Sequence, residues 1–418
     1  GATTFTGAQN TIGDLRFGQA TVNFGTENAS AGTGISSVTT VGSIVMGHTN
    51  NAGTLNVRAD AALTVTGSSM STGGSAGSFM IGNYPQAQTV NVSGALNLQN
   101  AGITTRDGTG TVNILEGGEV NFNVGLTTAS NNSGAARATV VLESGGRMNI
   151  GSGGITESTT LGLTLNGGTI GSLADSWSSS RAMTLGGNVT FDTTLMEFNA
   201  SGKATETEEG SEVTLTGALS GSGSLVKTGA GTLTLSGALS YTGGTTVEAG
   251  TLQLLLGGDY ASGDISVASG ATLQLSSAGD AVNFGGTADA PVTLTLGEGS
   301  VLSGGEGTVN LTAGTTLAFT GADGSAVDAS EATLTYRSGE EGGTLSFADS
   351  REFGAFVFDS QGTVSSASVG KSATLSAGEL SFAASANRAA EMSGAGTLAV
   401  GKISVNNTRS GNEISVGT

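Results

Sequence analysis

Few side chains in this sequence could hold a metal ion, move a proton or grip a sugar, and they are scattered. His48 is the one histidine, in Val45-Met46-Gly47-His48-Thr49-Asn50, and cysteine is absent from the 418 residues. Multi-histidine and thiolate metal centres are therefore excluded, as are thiol nucleophiles, and a lone loop histidine reads as a polar surface group. No Gly-x-Ser-x-Gly elbow sits between a strand and a helix to expose a nucleophilic serine. Paired carboxylates could cleave glycosidic bonds or hold a divalent cation. The densest run is Glu206, Glu208, Glu209 and Glu212 around Gly210; it reads as a solvated loop interrupting the fold between two halves, with a catalytic or cation-binding patch as the alternative. Asp323 and Asp328 read as turn residues. No metal site, catalytic residue or cofactor is expected.

Exposed aromatics are the remaining way to bind a ligand, since glycan platforms are built from them. Trp177, in Asp175-Ser-Trp-Ser-Ser-Ser180, and Tyr84, beside Pro85, are the candidates for ligand contact, with a local plug as the alternative role for the indole. Phe353, Phe356 and Phe358 form the longest aromatic cluster. Phe356 and Phe358 share one strand face, which points to internal stacking.

The elements that carry these residues are short strands. In Thr232-Leu233-Thr234-Leu235 successive side chains point to opposite faces, so leucines enter a core while threonines face outward. Gly229, Gly231, Gly237, Gly243 and Gly244 mark the bends. The chain has 72 Gly but only 2 Pro, and its glycines lack the every-third-residue period of collagen. Hydrophobic residues at 37% in regular alternation argue against disorder. The best helix candidate, Ala383 to Met392 with Asn387, Arg388 and Glu391, reads as a loop. Asparagine pairs such as Asn50-Asn51, Asn131-Asn132 and Asn406-Asn407 are expected to stack as ladders or to hold left-handed corners.

Internal repeats fix the architecture. Thr54-Leu-Asn-Val57 returns as Thr89-Val-Asn-Val92, Thr111-Val-Asn-Ile114 and Thr139-Val-Val-Leu142, each followed by a second short strand. The step from Val90 to Val112 is shorter than the step from Val112 to Val140, as in coils with variable loops. Farther on the period is tighter and constant: Leu215-Thr-Gly-Ala-Leu-Ser220 returns as Leu235-Ser-Gly-Ala-Leu-Ser240, and Val247 returns as Val267 after the same interval. These periods predict an all-β chain wound as a right-handed parallel β-helix, since parallel crossovers are right-handed. Propellers and sandwich arrays want antiparallel hairpins and more aromatics. Coils of this size give roughly 17 to 20 rungs and, at about 4.8 Å per rung, a single elongated rod on the order of 80 to 95 Å long. A solenoid adds rungs without thickening a core, so residues 1–205, with longer loops, and 206–418, with tighter repeats, are expected to be continuous halves.

The segment Gly221-Ser-Gly-Ser-Leu-Val-Lys-Thr-Gly-Ala-Gly-Thr-Leu-Thr-Leu-Ser-Gly, running on through Tyr241-Thr-Gly-Gly-Thr-Thr-Val to Leu254, resembles the passenger-associated repeat of bacterial autotransporters. The motif residues are Gly229, Gly231, Thr232, Leu233, Leu235, Gly237, Tyr241, Gly243 and Gly244, and Ser393-Gly-Ala-Gly-Thr-Leu-Ala-Val400 is a degenerate echo. Leu239-Ser240 stands before Tyr241 where the family typically shows an Asn-Thr pair. The resemblance covers about a tenth of the chain directly. It implies a secreted parallel β-helix at the surface of a Gram-negative cell, used for adhesion, aggregation or display, with no catalytic group at these positions.

Charge agrees with that setting. Thirty-three acidic against 14 basic residues give a net charge of -19, which repels nucleic acid and anionic membrane surfaces. No stretch approaches the ~20 apolar residues of a spanning helix. The opening Gly1-Ala2-Thr3-Thr4-Phe5 and the closing Asn412-Glu-Ile-Ser-Val-Gly-Thr418 lead us to expect a processed part of a longer protein, with any outer-membrane barrel outside it. The function expected is non-enzymatic: an extracellular surface rod that attaches to a host or neighbouring cell through a glycan or protein ligand. An end-to-end filament subunit is the alternative, because a β-helix ends in open strand edges, and a polysaccharide-cleaving enzyme is the third.

Overall fold

The computed structural model describes residues 1–418 apart from 31–33, 48–50, 68–78, 101, 131–136, 200–202, 261, 278–281, 286–291, 299, 305–307, 312–314, 322–324, 331, 339–342, 348–349, 361–363, 385–388, 408–412 and 417–418. Every regular element among the described residues is a strand. The chain divides into two compact units, Gly1–Gly217 with Gly221–Gly223, and Ala218–Ser220 with Ser224–Thr418.

In the first unit the repeats stack as the spacing predicts. One parallel sheet runs through Ala2–Phe5, Thr21–Phe24, Thr54–Val57, Gln88–Val92, Thr109–Ile114, Arg137–Leu142 and Leu161–Leu165. Val90 sits opposite Val112 and Val112 opposite Val140, so the unequal steps between them are absorbed in the loops and leave the register intact. The second strands of each repeat form another parallel sheet, Ala61–Val65, Ala95–Leu98, Glu119–Phe122, Arg147–Ile150 and Gly168–Ser172. Shorter strands, Phe79–Met80, Ile103–Thr105 and Thr128–Ser130, pair in parallel on a further face. Three sheets wound in this order are a parallel β-helix.

The second unit repeats the plan. Thr232–Leu235, Thr251–Leu256, Thr272–Ser277 and Val301–Gly304 pair in parallel, as do Leu225–Thr228, Thr245–Val247, Ile265–Val267 and Val292–Gly297. Val247 faces Val267, as the tighter repeat requires. A third face carries Val282–Phe284, Thr308–Leu311, Gly343–Phe347 and Val364–Val369.

Alternation decides the core. Leu55, Val90, Val112 and Val140 form one fully buried column, Leu63, Leu96, Val120 and Met148 another, and Leu233, Leu252, Leu273 and Leu302 a third in the second unit. Like residues meet like because every rung repeats the same inward positions, which is the cross-strand pairing that stabilises sheets. Farther along the second unit, aromatics replace leucine. Tyr336 stacks on Phe358 at 5.4 Å, Phe347 meets Phe356 edge-on at 5.8 Å, and Phe353, Phe356 and Phe358 are all buried.

Corners need glycine where the backbone turns left-handed or where rungs crowd. At Gly154, φ is +65° and an added Cβ would lie 1.8 Å from the Ser178 carbonyl oxygen, so neither the conformation nor the space admits a side chain.

Two expectations change. The acidic run is not a loop: Ala204–Gly210 is a strand that pairs antiparallel with Val189–Phe198, forming a hairpin on the side of the first unit. The described parts of Ala383 to Met392 are neither helix nor loop but belong to the strands Thr374–Ala384 and Ala389–Gly394. Asparagine ladders form along the strands of the repeats. Asn56 donates to Asn23 at 2.8 Å, Asn91 to Asn56 at 2.9 Å and Asn113 to Asn91 at 2.9 Å, while Asn121 donates to Asn97 and Asn149 to Asn121 on the second sheet. Those on the first sheet are the asparagines of Thr-x-Asn-x sequences and those on the second lie in the strands that follow, all held in register by the parallel pairing. Asn50, Asn131 and Asn132 lie outside the described residues.

Phe356→Ala should destabilise the second unit by about 3–5 kcal/mol, as a large buried aromatic deletion does. Leu115→Ala, at a partly exposed side chain, should cost far less. Urea unfolding followed by far-ultraviolet circular dichroism measures both.

Candidate functional site

The repeat at residues 225–254 is built around a buried cation. In Leu225–Thr228 the inward positions are Leu225 and Lys227, and the Lys227 side chain has no exposed surface. Lys227 Nζ donates to the carbonyl oxygens of Thr228 at 2.9 Å, Gly229 at 2.8 Å and Ala249 at 2.8 Å. An ammonium in an apolar core is costly unless its donors are met, and three carbonyls from two successive corners meet them. Gly229, at φ +77°, turns the corner that supplies one of these carbonyls, and Ala249 precedes Gly250 at φ +65°. The lysine thereby ties one corner to the next rung.

The remaining motif residues divide by face. Leu233, Leu235 and Tyr241 are buried, whereas Thr232, Gly231 and Gly237 are partly exposed and Gly243 is exposed. Gly244 turns at φ +81°. The Tyr241 hydroxyl is 2.5 Å from that of Thr245, and burial pushes its phenol pKa up. Tyr260 stacks on Phe284 at 4.8 Å, bonds to the Ser262 carbonyl and is likewise pushed up by burial. A groove of about 340 Å³ opens beside these rings between the Ser236–Leu239 and Leu256–Tyr260 segments.

The ligand candidates separate sharply. Trp177 is buried at 4% exposure, packs in the strand Ser176–Ser179 and donates from Nε1 to Ser172 Oγ at 2.9 Å. Its indole is a plug, and in this fold it offers no face to a ligand. Tyr84 is 38% exposed and remains available. Glu206, Glu208, Glu209 and Glu212 are exposed, and Asp328 accepts from the backbone N–H and hydroxyl of Ser330, a turn contact. His48 and Asp323 lie outside the described residues. Among the described residues, no three His, Cys, Asp or Glu side chains gather where they could hold a metal ion.

A second polar cluster escaped the sequence reading. Arg147 Nη2 contacts Asp192 Oδ2 at 2.8 Å and its Nε donates to Asn149 at 2.7 Å, while Glu119 accepts from Asn121 at 2.6 Å and from the backbone N–H of Ala204 at 3.0 Å. The hairpin is thus pinned across the buried ladder, and a recess of about 510 Å³ lies between its edge and Glu119, Arg147 and Lys203. Burial opposes ionisation of Asp192, but the Thr194 N–H and the Arg147 guanidinium outweigh it and hold its carboxyl below the ordinary value of 3.8. Only the coincidence of charged residues at outward strand positions could have signalled this cluster.

The comparisons with known proteins meet this geometry at the repeat. Residues 225–254 match the passenger-associated-transport-repeat family model. The chain carries a passenger-associated transport repeat. It is also 32% identical over 180 residues to the adhesin BmaC autotransporter of Brucella suis, an alignment that covers 41% of this chain and 5% of that protein. The chain therefore spans a small part of that relative's length, and its resemblance is to an autotransporter passenger domain. No solved structure matches.

Two outcomes are expected. Lys227→Met should lower stability by about 1–3 kcal/mol, since it leaves buried carbonyls without a donor; denaturant titration measures it. Because the folded pKa of Asp192 is depressed, its contribution is present above the unfolded value and lost as pH falls through the lower folded value. The stability gap between the native chain and Asp192→Asn should therefore narrow as pH falls below about 4, as read from unfolding curves at successive pH values.

Proposed function

We propose that this chain is a non-enzymatic section of an autotransporter passenger, exported to the surface of a Gram-negative cell, where its β-helical faces mediate attachment to other cells or surfaces. The observation that carries the reading is the adhesin autotransporter relative, at 32% identity over 180 residues, together with the passenger-type repeat. Physical features support it. Stacked parallel rungs present long, regular outward faces, and the side chains of Glu206, Glu208 and Glu209 on Ala204–Gly210 and of Glu212 on Glu212–Leu215 are all exposed. A net charge of -19 keeps such a surface soluble and biases it toward neutral or basic partners. Tyr84 is the aromatic we assign to ligand contact.

Display of the chain on a non-adherent Gram-negative host, by fusion to an unrelated outer-membrane barrel, tests this. Adhesion to epithelial cells or settling of the culture should rise above that of the barrel alone, and Tyr84→Ala should reduce adhesion while leaving surface display unchanged. Adhesion and settling equal to the barrel control would overturn the reading.

A further inference from the structure

The corner between Leu161–Leu165 and Gly168–Ser172 carries the one asparagine of the chain that is followed by glycine, Asn166-Gly167. The ladder asparagines are placed differently. Asn56, Asn91 and Asn113 lie within strands, precede valine or isoleucine and donate to the asparagine of a neighbouring rung. Asn97, Asn121 and Asn149 precede leucine, phenylalanine and isoleucine and are buried. Asn166 stands exposed at a corner, before the one residue type that has no side chain.

That difference bears on the chemistry of the amide. The backbone nitrogen of the following residue can attack the asparagine Cγ, forming an N–Cγ bond and expelling the side-chain nitrogen as ammonia. Water then opens the succinimide ring at one carbonyl to give aspartate, or at the other to give isoaspartate. One water is consumed and one ammonia released, and no oxidant is needed. A Cβ on the following residue and a hydrogen bond from its N–H both oppose the attack. Gly167 has no Cβ, and among the described residues no backbone carbonyl accepts from its N–H. On the next rung the same corner is Gly186-Gly187, which raises no side chain beside the amide; even a Cβ at Gly186 would come within 3.6 Å of Asn166 Oδ1.

The preceding rung sets the pace. Asn166 Nδ2 donates to both carboxyl oxygens of Glu143, at 3.1 Å each. This contact holds the amide nitrogen toward the preceding rung and places a negative charge beside the carbon where negative charge must develop, and both effects slow ring closure. Solvent screens an exposed contact of this kind, so it delays the attack without blocking it. We infer that Asn166 is a site of spontaneous deamidation whose pace Glu143 restrains. The product sets a carboxylate against Glu143 where an amide had donated to it, and isoaspartate adds a methylene to the backbone at a corner joining two sheets. The change is one-way and marks the age of the chain at a single rung.

Peptide mapping of the full folded chain, held at physiological temperature and mildly alkaline pH, tests this, with fragmentation that distinguishes aspartate from isoaspartate. The peptide holding Asn166 should gain the mass of an amide-to-acid exchange and accumulate isoaspartate, while those holding Asn56, Asn91 and Asn113 stay unchanged. Asn166→Gln should abolish the signal and Glu143→Gln should speed it severalfold, with thermal melting establishing that each variant is folded. Absence of isoaspartate at Asn166 in the folded native chain, with the urea-unfolded chain as positive control, would overturn the site. Conversion spread evenly over the ladder asparagines would overturn it too, and an unchanged rate in folded Glu143→Gln would overturn the restraint.

Discussion

The fold rests on one constraint: each rung must place the same residue type at the same inward position as the rung before it. Val90, Val112 and Val140, or Leu233, Leu252 and Leu273, stack because parallel strands pair them one to one. A slip by one residue would send every leucine outward and every threonine inward, so the register is strongly specified. Loop length is free by comparison, since closing a longer surface loop adds little entropy cost. That asymmetry explains how unequal steps from Val90 to Val112 and from Val112 to Val140 coexist with an unbroken sheet.

The same register organises the polar groups. Outward columns inherit the regularity that the core imposes, which is why Asn56, Asn91 and Asn113 bond in series without any pairing signal of their own. Buried charges need compensation. Lys227 is tolerated because two glycine corners turn three carbonyls onto its ammonium, and the Arg147–Asp192 pair survives burial because Asn149 and the Thr194 N–H meet further hydrogen bonds. A β-helix made this way can carry regular exposed faces on a core that uses no disulfide.

How far the sequence discloses this depends on whether a feature is periodic. Strand positions and register were legible from Val247 and Val267, and from the Thr-x-Asn-x repeats, because periodicity reports the core directly. The burial of Lys227 was not, since lysine ordinarily reads as outward, and only the carbonyls of its own corner and of the next rung reverse that. Trp177 in a serine-rich stretch could be read as a ligand contact or as a local plug, and it is Ser172, the acceptor for the indole N–H, that lets it pack inside as a plug. The hairpin of Ala204–Gly210 was hidden because its glutamates suggest solvation, which is true of its side chains and says nothing of its backbone pairing with Val189–Phe198. Non-periodic, long-range contacts are what a reading by repeats leaves out.

The register itself can be measured directly in a chain that has no cysteine of its own. Cysteine pairs placed at Thr89 with Thr111 in the first unit, and at Gln253 with Gln274 in the second, should form intramolecular disulfides readily under mild oxidation, because parallel partners bring their Cα atoms within disulfide range. The off-register pairs Thr89 with Asn113 and Gln253 with Ser276 should remain largely reduced. Equal cross-linking of the on-register and off-register pairs would contradict the stacked-rung account.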